Sequence, residues 1–241
     1  MKGFFDIHTH ILPGVDDGAG DISEAMRMVR MAWENGTRAL VLTPHWRSGS
    51  PQNDISQKRE VFDRLYQQVS AEYPELELYL GSEVRYGASV PEMLEAGEIQ
   101  TLNGSRYVLL EFRTGSPRSQ ILSGISRCIY SGFTPIIAHA ERYDAFYKDA
   151  SLTEEVLNLG ALIQVNAQSI LGRQGLRTFF FCGRMLRNKQ VHFVASDCHH
   201  SDSRTPLLHK CWKKVTKRYG EDYSNRVFYE NARRIIQNQE L

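Results

Sequence analysis

The sequence predicts an α/β fold, an irregular seven-stranded β/α barrel, and three observations carry that prediction. Apolar runs of strand length recur along the 241 residues, helical spacing fills the stretches between them, and a polar residue able to bind a metal or move a proton follows nearly every run. Runs apolar at consecutive positions suit strands buried on both faces, as parallel strands under helices are. A doubly wound sheet meets the same pattern but gathers its functional residues at one switch point. Here they follow strand after strand, which favours a barrel.

Taken in order, GFFDI is the first strand and leads into His8 and His10. Ala25, Met26, Val29, Ala32 and Trp33 then repeat at intervals of three and four, the mark of one helical face, and Gly36 supplies a C-terminal stop. RALVL before His45 is the second strand, and Val61, Leu65 and Val69 mark the second helix. LELYL before Glu83 and YVLLE ending at Glu111 are the third and fourth strands. Ile121, Ile125 and Ile129 form a helix ending near Gly132. TPIIA before His139, ALIQV before Asn166 and VHFVA before Asp197 complete the strands. Leu208, Cys211, Trp212 and Val215 give a late helix, and Val227, Phe228, Ile235 and Ile236 a closing helix or pair of turns. No Pro/Gly/Ser-rich linker, dinucleotide fingerprint or P-loop interrupts the series, so residues 1–241 read as one domain.

Composition narrows the function. Lys and Arg number 29 against 28 Asp and Glu, a formal charge of +1, so no global field draws the chain to nucleic acid or anionic lipid. At 41% hydrophobic and 24% charged residues, the composition is that of a globular protein rather than a disordered one. Apolar stretches fall short of the roughly 18 to 20 residues that span a bilayer. Asp6, His8 and His10 arrive before a signal-type apolar core, which implies a cytoplasmic protein without membrane insertion. Cys128, Cys182, Cys198 and Cys211 form no C-x-x-C pair and suit a reducing compartment.

The ligand-type residues are His8, His10, the Asp16–Asp17 pair, His45, Glu83, Glu111, His139, Asp197 and His199. A single histidine after a strand is more often a loop or core residue than a ligand; the conjunction is what points to metal. His8 and His10 are two apart on a strand, so the pleat turns both to one side. Glu83 and Glu111 lie at the ends of strongly apolar runs, where an unpaired carboxylate is costly and a cation is the usual remedy. So many ligands exceed the need of one ion and imply two or three sharing carboxylates. Closely spaced ions suit phosphoester hydrolysis, because they acidify a shared water and neutralise phosphoryl oxygens. Arg142 and Arg204 stand where a guanidinium fork could grip phosphate.

The strings DIHTHILPGVDDGAGD, TPHW, GSEVRY, LNGSRYVLLEF, PIIAHAERYDAF, IQVNAQS and HFVASDCHHSDSRTP resemble the PHP (polymerase and histidinol phosphatase) superfamily. Within it they are most similar to the manganese-dependent bacterial protein-tyrosine phosphatases of capsule and exopolysaccharide operons. The resemblance runs over essentially the whole chain. It implies a distorted seven-stranded β/α barrel with a trinuclear site at the C-terminal ends of the strands. The implied ligands are His8, His10, Asp17, His45, Glu83, Glu111, His139, Asp197 and His199, with Arg142 and Arg204 on the phosphate. Asp17 is preferred to Asp16 because the family's ligand directly precedes a glycine, here Gly18. The resemblance further implies Mn2+, with Fe or Zn as other candidates. Its implied substrate is the phosphorylated C-terminal tyrosine cluster of a membrane-bound tyrosine kinase. His45 or His199, if protonated, is expected to assist the leaving group.

Four rival readings are open to the sequence, one of them a decayed barrel that only binds a partner or stores metal, against which the intact ligand types at all nine positions argue. Cys198 and Arg204, followed by Thr205, have the C-x5-R-[ST] spacing of the cysteine-dependent tyrosine phosphatases, although Asp202 between them would repel a phosphate. Amidohydrolases and barrel nucleases also begin with His-x-His, and a small-molecule phosphatase acting on an ester such as histidinol phosphate is the nearest competitor. Trp46 is expected at the rim of the site or in a contact between subunits.

Overall fold

The computed structural model describes residues 3–241. Among them nine strands form: β1 (Phe4–Thr9), β2 (Thr37–Leu42), β3 (His45–Trp46), β4 (Glu77–Leu80), β5 (Glu83–Arg85), β6 (Tyr107–Glu111), β7 (Thr134–Ile137), β8 (Leu162–Asn166) and β9 (Phe193–Ala195). Every pairing is parallel, in one ladder ordered β1-β2-β4 and a second ordered β3-β5-β6-β7-β8-β9. The α/β class and the parallel, curled sheet agree with the sequence reading. The strand count differs from the expected seven: two short strands, β3 and β5, follow β2 and β4 where the sequence predicted none.

Pro44, which has no N–H to give to a ladder, separates β2 from β3, and Gly81 separates β4 from β5. A methyl group on Gly81 would lie 2.8 Å from Leu102 Cδ2, so the chain passes close to that side chain. The breaks are bridged by Gly81 N–H to Leu42 O at 2.8 Å and Glu83 N–H to Pro44 O at 3.2 Å. At the far edge the sheet curls back on itself. Asp197 N–H donates to His8 O and His10 N–H to Cys198 O, both at 2.9 Å, beside a parallel bridge between Thr9 and Cys198. Asp6 Oδ1 accepts Ser196 N–H at 3.0 Å from the same edge.

Helices α1 (Ile22–Glu34), α2 (Ile55–Glu72), α3 (Val90–Glu95), α4 (Arg118–Tyr130), α5 (Asp144–Lys148), α6 (Ser151–Asn158), α7 (Ala167–Ile170), α8 (Leu176–Arg187), α9 (His209–Tyr219), α10 (Glu221–Asn225) and α11 (Asn231–Ile236) connect and cover the strands. The spacing of three and four locates α1, α2, α4 and α9. Asp21 caps α1 by accepting Glu24 N–H, and Gly36, at a φ of 99°, turns the chain out of it. The closing segment is helical, with a π-turn at Arg226–Glu230 between α10 and α11. Together with the turn Leu102–Gly104, it covers the N-terminal ends of the strands: Asn238 Oδ1 accepts Arg106 N–H, and Tyr107 Oη donates to Gln239 O. That end is apolar and filled, with Phe5, Ile7, Leu109, Ile136 and Ile235 in one cluster. Chemistry is left to the opposite end.

Trp46 is corrected by the structure. It is 1% exposed and packs in the main core with Val84, Val108 and Leu110. Being on β3, it takes the packing side of a short strand whose neighbour, His45, faces the site.

Candidate metal centre

The residues at the C-terminal strand ends converge. His8 is on β1 and His10 one residue past it; His45 opens β3, Glu83 opens β5 and Glu111 ends β6. His139 and Asp197 follow β7 and β9 by two residues each. Nε2 atoms of His8 and His10 come within 3.3 Å. Glu83 Oε2 and Asp197 Oδ1 lie 3.4 to 3.5 Å from both. Three overlapping groups have ligand atoms mutually within 4.8 Å: His10, Asp17, His45 and His199; His8, His10 and Asp197; and His45, Glu83 and Glu111. His10 is shared by the first two and His45 by the first and third. His139 stands beside the third, its Nε2 at 2.7 Å from Glu83 Oε1 and 3.8 Å from Glu111 Oε1. Thus all nine sequence-predicted ligands reach one volume.

The two neighbouring aspartates take different places. Asp17 is mostly exposed and extends over the cluster, 3.1 Å from His45 Nε2 and 3.6 Å from His199 Nε2. Asp16 turns inward and accepts His10 Nδ1–H at 2.7 Å, His45 N–H at 3.0 Å and Gly18 N–H at 3.0 Å. A carboxylate on Nδ1 leaves the His10 Nε2 lone pair for a cation. The turn is tight because Gly18 passes over His10, where a methyl group would sit 2.0 Å from the His10 carbonyl oxygen.

Sequence reasoning missed a second set of polar groups. Gln164 Oε1 accepts His8 Nδ1–H at 3.1 Å and His139 N–H at 2.8 Å, while its Nε2 donates to Asn166 Oδ1 at 2.8 Å. Asn166 Nδ2 donates in turn to Asp197 Oδ2 at 2.8 Å. The signal was the alternation in IQVN: two amides two residues apart inside an apolar strand point to one side. Tyr143, wholly buried, donates to Ala138 O, accepts Phe112 N–H and lies 3.3 Å from His139 Nδ1. Lys58 on α2 reaches His45 O at 2.9 Å, and Glu141 accepts Asn166 N–H and Ser169 Oγ–H.

Three of the six non-glycine residues with positive φ among the described residues lie at this site. His139 (φ 33°), Asp197 (φ 52°) and Arg204 (φ 48°) are left-handed without being glycine, a conformation retained where the surroundings impose it.

Charge within the cluster is balanced by neighbours. Burial raises the Asp197 carboxyl, but His8, His10 and Arg142 outweigh it and hold the group well below its usual range. Burial lowers the His10 imidazole, and bonds to Asp16, Asp197 and Glu83 raise it well above its usual value. His199 goes the other way: burial, with His10 beside it, pushes it down to about 3. That direction favours the neutral ring, with a lone pair free to meet a cation. Burial pushes the Cys198 thiol up to about 12, and the side chain is fully enclosed. It is not a thiolate nucleophile, so the C-x5-R-[ST] spacing is coincidental.

The donor set fits divalent cations. Imidazole nitrogens of His8 and His10 face each other at hydrogen-bond distance with carboxylates around them. Buried His45 Nδ1 makes no hydrogen bond although Glu83 Oε2 is 2.9 Å away. A cation between such atoms satisfies both. At the opening, Arg142 Nη2 bonds Asp197 Oδ2 at 2.7 Å and Arg204 Nη2 bonds Asp197 Oδ1 at 2.8 Å. One carboxylate thereby orients both guanidiniums, which remain partly exposed.

The parallel curled sheet and the histidine–carboxylate cluster at its C-terminal ends define the class: an α/β fold with a candidate metal centre at the open end of its sheet. An organophosphorus hydrolase variant from Deinococcus radiodurans, 13% identical, shares this fold with a TM-score of 0.62 over 98% of this chain and 93% of its own. The profile of the capsular polysaccharide synthesis CpsB/CapC family matches residues 4–237, and the chain belongs to that family. It is 34% identical to tyrosine-protein phosphatase CpsB of Streptococcus pneumoniae over 239 residues, covering 97% of this chain and 98% of that one. A crystal structure from the work on YwqE from Bacillus subtilis and CpsB from Streptococcus pneumoniae, described as unique metal-dependent tyrosine phosphatases, superposes with a TM-score of 0.92. That chain is 30% identical, with 98% of this chain and 96% of that one covered.

Proposed function

We propose that the protein is a metal-dependent protein-tyrosine phosphatase. The observation that carries this reading is the convergence of nine ligand-type side chains beneath two arginines, in a chain of the CpsB/CapC family. His8, His10, Asp17, His45, Glu83, Glu111, His139, Asp197 and His199 would hold two or three divalent ions, Mn2+ in the first instance, with Fe or Zn also suited to mixed imidazole and carboxylate ligands. When bound, such ions acidify a water and neutralise the phosphoryl oxygens. The protein supplies the rest. Arg142 and Arg204, held by Asp197, direct their remaining N–H groups at a phosphate in the opening and stabilise charge as it develops on the phosphoryl oxygens. Asp16 and Gln164 fix the rings of His10 and His8 by accepting their Nδ1 protons.

Counting β2 with β3 and β4 with β5 as single interrupted strands gives a distorted seven-stranded barrel, forming one catalytic domain over residues 1–241. No helix among the described residues is long and apolar enough to cross a membrane. The physiological substrate in this reading is the phosphorylated C-terminal tyrosine cluster of a membrane-bound kinase controlling capsule or exopolysaccharide synthesis, met from the cytoplasmic side. The test is phosphate release from a phosphotyrosine peptide with added manganese, with a chelator, and by Cys198→Ser. Activity that needs the metal and survives the serine change is expected. Release from histidinol phosphate but not from the peptide would replace this substrate assignment with a small ester.

A further inference from the structure

Helices α8 and α9 together carry eight Lys and Arg and no Asp or Glu. In a chain of net charge +1 this is a local segregation, extending over residues 156–220, where eleven Lys and Arg face two Asp. Between the two helices lies a cavity of about 130 Å³ with aromatic walls, Phe179, Phe180 and Tyr219, and cations at Arg187, Lys214 and Arg218. No carboxylate lines it. Phe180 is 67% exposed and Leu176, one turn before it, is 74% exposed, which is unusual for large apolar side chains on a helix that otherwise buries Phe181, Met185 and Leu186. Lys214 is held in place by donating to Ile170 O at 2.9 Å and lies 4.3 Å from the centre of the Phe179 ring.

Aromatic walls and a rim of unneutralised cations have the chemistry of a receptor for an aryl phosphate: the ring packs against apolar faces and the dianion meets guanidinium and ammonium groups. One hydrogen bond ties the wall of the cavity to the segment that carries Arg142. Ile170, which lines it, follows Ser169, whose hydroxyl donates to Glu141 at 2.7 Å, the residue preceding Arg142.

We propose that the groove between α8 and α9 is a non-catalytic docking site for a second phosphotyrosine of the same multiply phosphorylated peptide. The inference rests on the phosphatase reading and adds to it a second, non-catalytic contact for a tail bearing more than one phosphate. Two linked contacts make the second an intramolecular event, so a doubly phosphorylated tail binds more tightly than either contact alone allows. A membrane surface would be another partner for cations and exposed apolar groups; the enclosed aromatic cavity favours the ring.

The test uses peptides carrying one or two phosphonomethyl-phenylalanines, which mimic phosphotyrosine without being hydrolysed, in calorimetry with the metal-loaded protein. Wild type should bind the doubly substituted peptide roughly tenfold or more tightly than the singly substituted one. Arg187→Glu with Arg218→Glu, both exposed positions, should remove that increment while leaving affinity for the single mimic and turnover of p-nitrophenyl phosphate within twofold. Phe180→Ser should reduce the increment independently of charge. An increment that survives the charge reversal overturns the proposal, as does one that is absent in the wild type. Binding to phosphatidylserine vesicles that is lost in the reversal, with the peptide increment unchanged, would assign the groove to membrane instead. Should the single mimic bind and the phosphopeptide be hydrolysed with no gain from a second phosphate, only this proposal falls. If neither peptide binds, the phosphatase reading falls with it.

Discussion

Asp197 accepts a hydrogen bond from Asn166, forms ion pairs with Arg142 and Arg204, and lies beside the imidazoles of His8 and His10. Because the two guanidiniums sit on opposite oxygens of one carboxylate, removing one leaves the oxygen that anchors the other in place. Arg142→Ala should therefore lower kcat on a phosphotyrosine peptide by on the order of a hundredfold, the effect of losing one well-placed donor to developing charge, while metal content is unchanged. Steady-state kinetics beside metal analysis of the purified variant checks it; unchanged kcat removes Arg142 from the reaction. Asp16→Asn tests a different function. It weakens the acceptor on His10 Nδ1, and the loss should appear as about 10- to 100-fold weaker metal affinity, measured by titrating the metal-stripped protein. An affinity equal to wild type would mean that the His10 ring is oriented by its other neighbours.

At the scale of elements, the site depends on loops that leave the strands along narrow paths. Gly18 is the clearest case, since any Cβ there meets backbone, which cannot rotate away as a side chain can. Gly18→Ala should displace the Asp16–Asp17 turn, costing about 1 to 3 kcal/mol in denaturant-induced unfolding and reducing metal retention together. Stability lost without any change in metal binding would show that the turn repacks with Asp17 still in place. The interrupted second strand shows the opposite economy of space: β3 is two residues long, and one faces the site while the other, Trp46, anchors the core. Trp46→Ala should cost about 3 to 5 kcal/mol, read from the shift in denaturation midpoint.

For the molecule as a whole, a histidine at the end opposite the site is expected to contribute acid sensitivity to folding. His192 precedes β9, and its Nδ1 accepts Ile163 N–H at 3.2 Å, so the bond requires the neutral ring. Burial pushes the group down to about 4, against an ordinary value of 6.5. The unfolded chain thus takes up this proton first as the pH falls. The contribution of the neutral ring is complete above about 6.5 and declines as the pH drops toward 4. Urea unfolding at pH 7 and pH 5 should show a smaller pH dependence for His192→Gln than for wild type. Equal slopes would assign the acid sensitivity to other groups.

Much of this was readable from residue order. Apolar runs such as YVLLE and TPIIA identify buried parallel strands, and because a parallel β/α sheet gathers the C-terminal ends of its strands, residues as distant as His8, Glu111 and Asp197 could be assigned to one site. The thiol spacing at Cys198 was equally visible but misleading, since only packing decides whether a cysteine is enclosed. Gln164 and Asn166 show no role in the sequence, because an amide's function lies in the partners that folding brings to it. Sequence by itself determined the fold class, the residue types of the cluster and the end of the sheet where it sits, since these follow from periodicity and residue type. Tertiary structure alone decided which aspartate faces the cluster, where Trp46 lies and that α8 and α9 enclose a cationic, aromatic groove. Those depend on the paths of Gly18, Pro44 and Gly81, and a close approach between distant segments leaves no periodic trace.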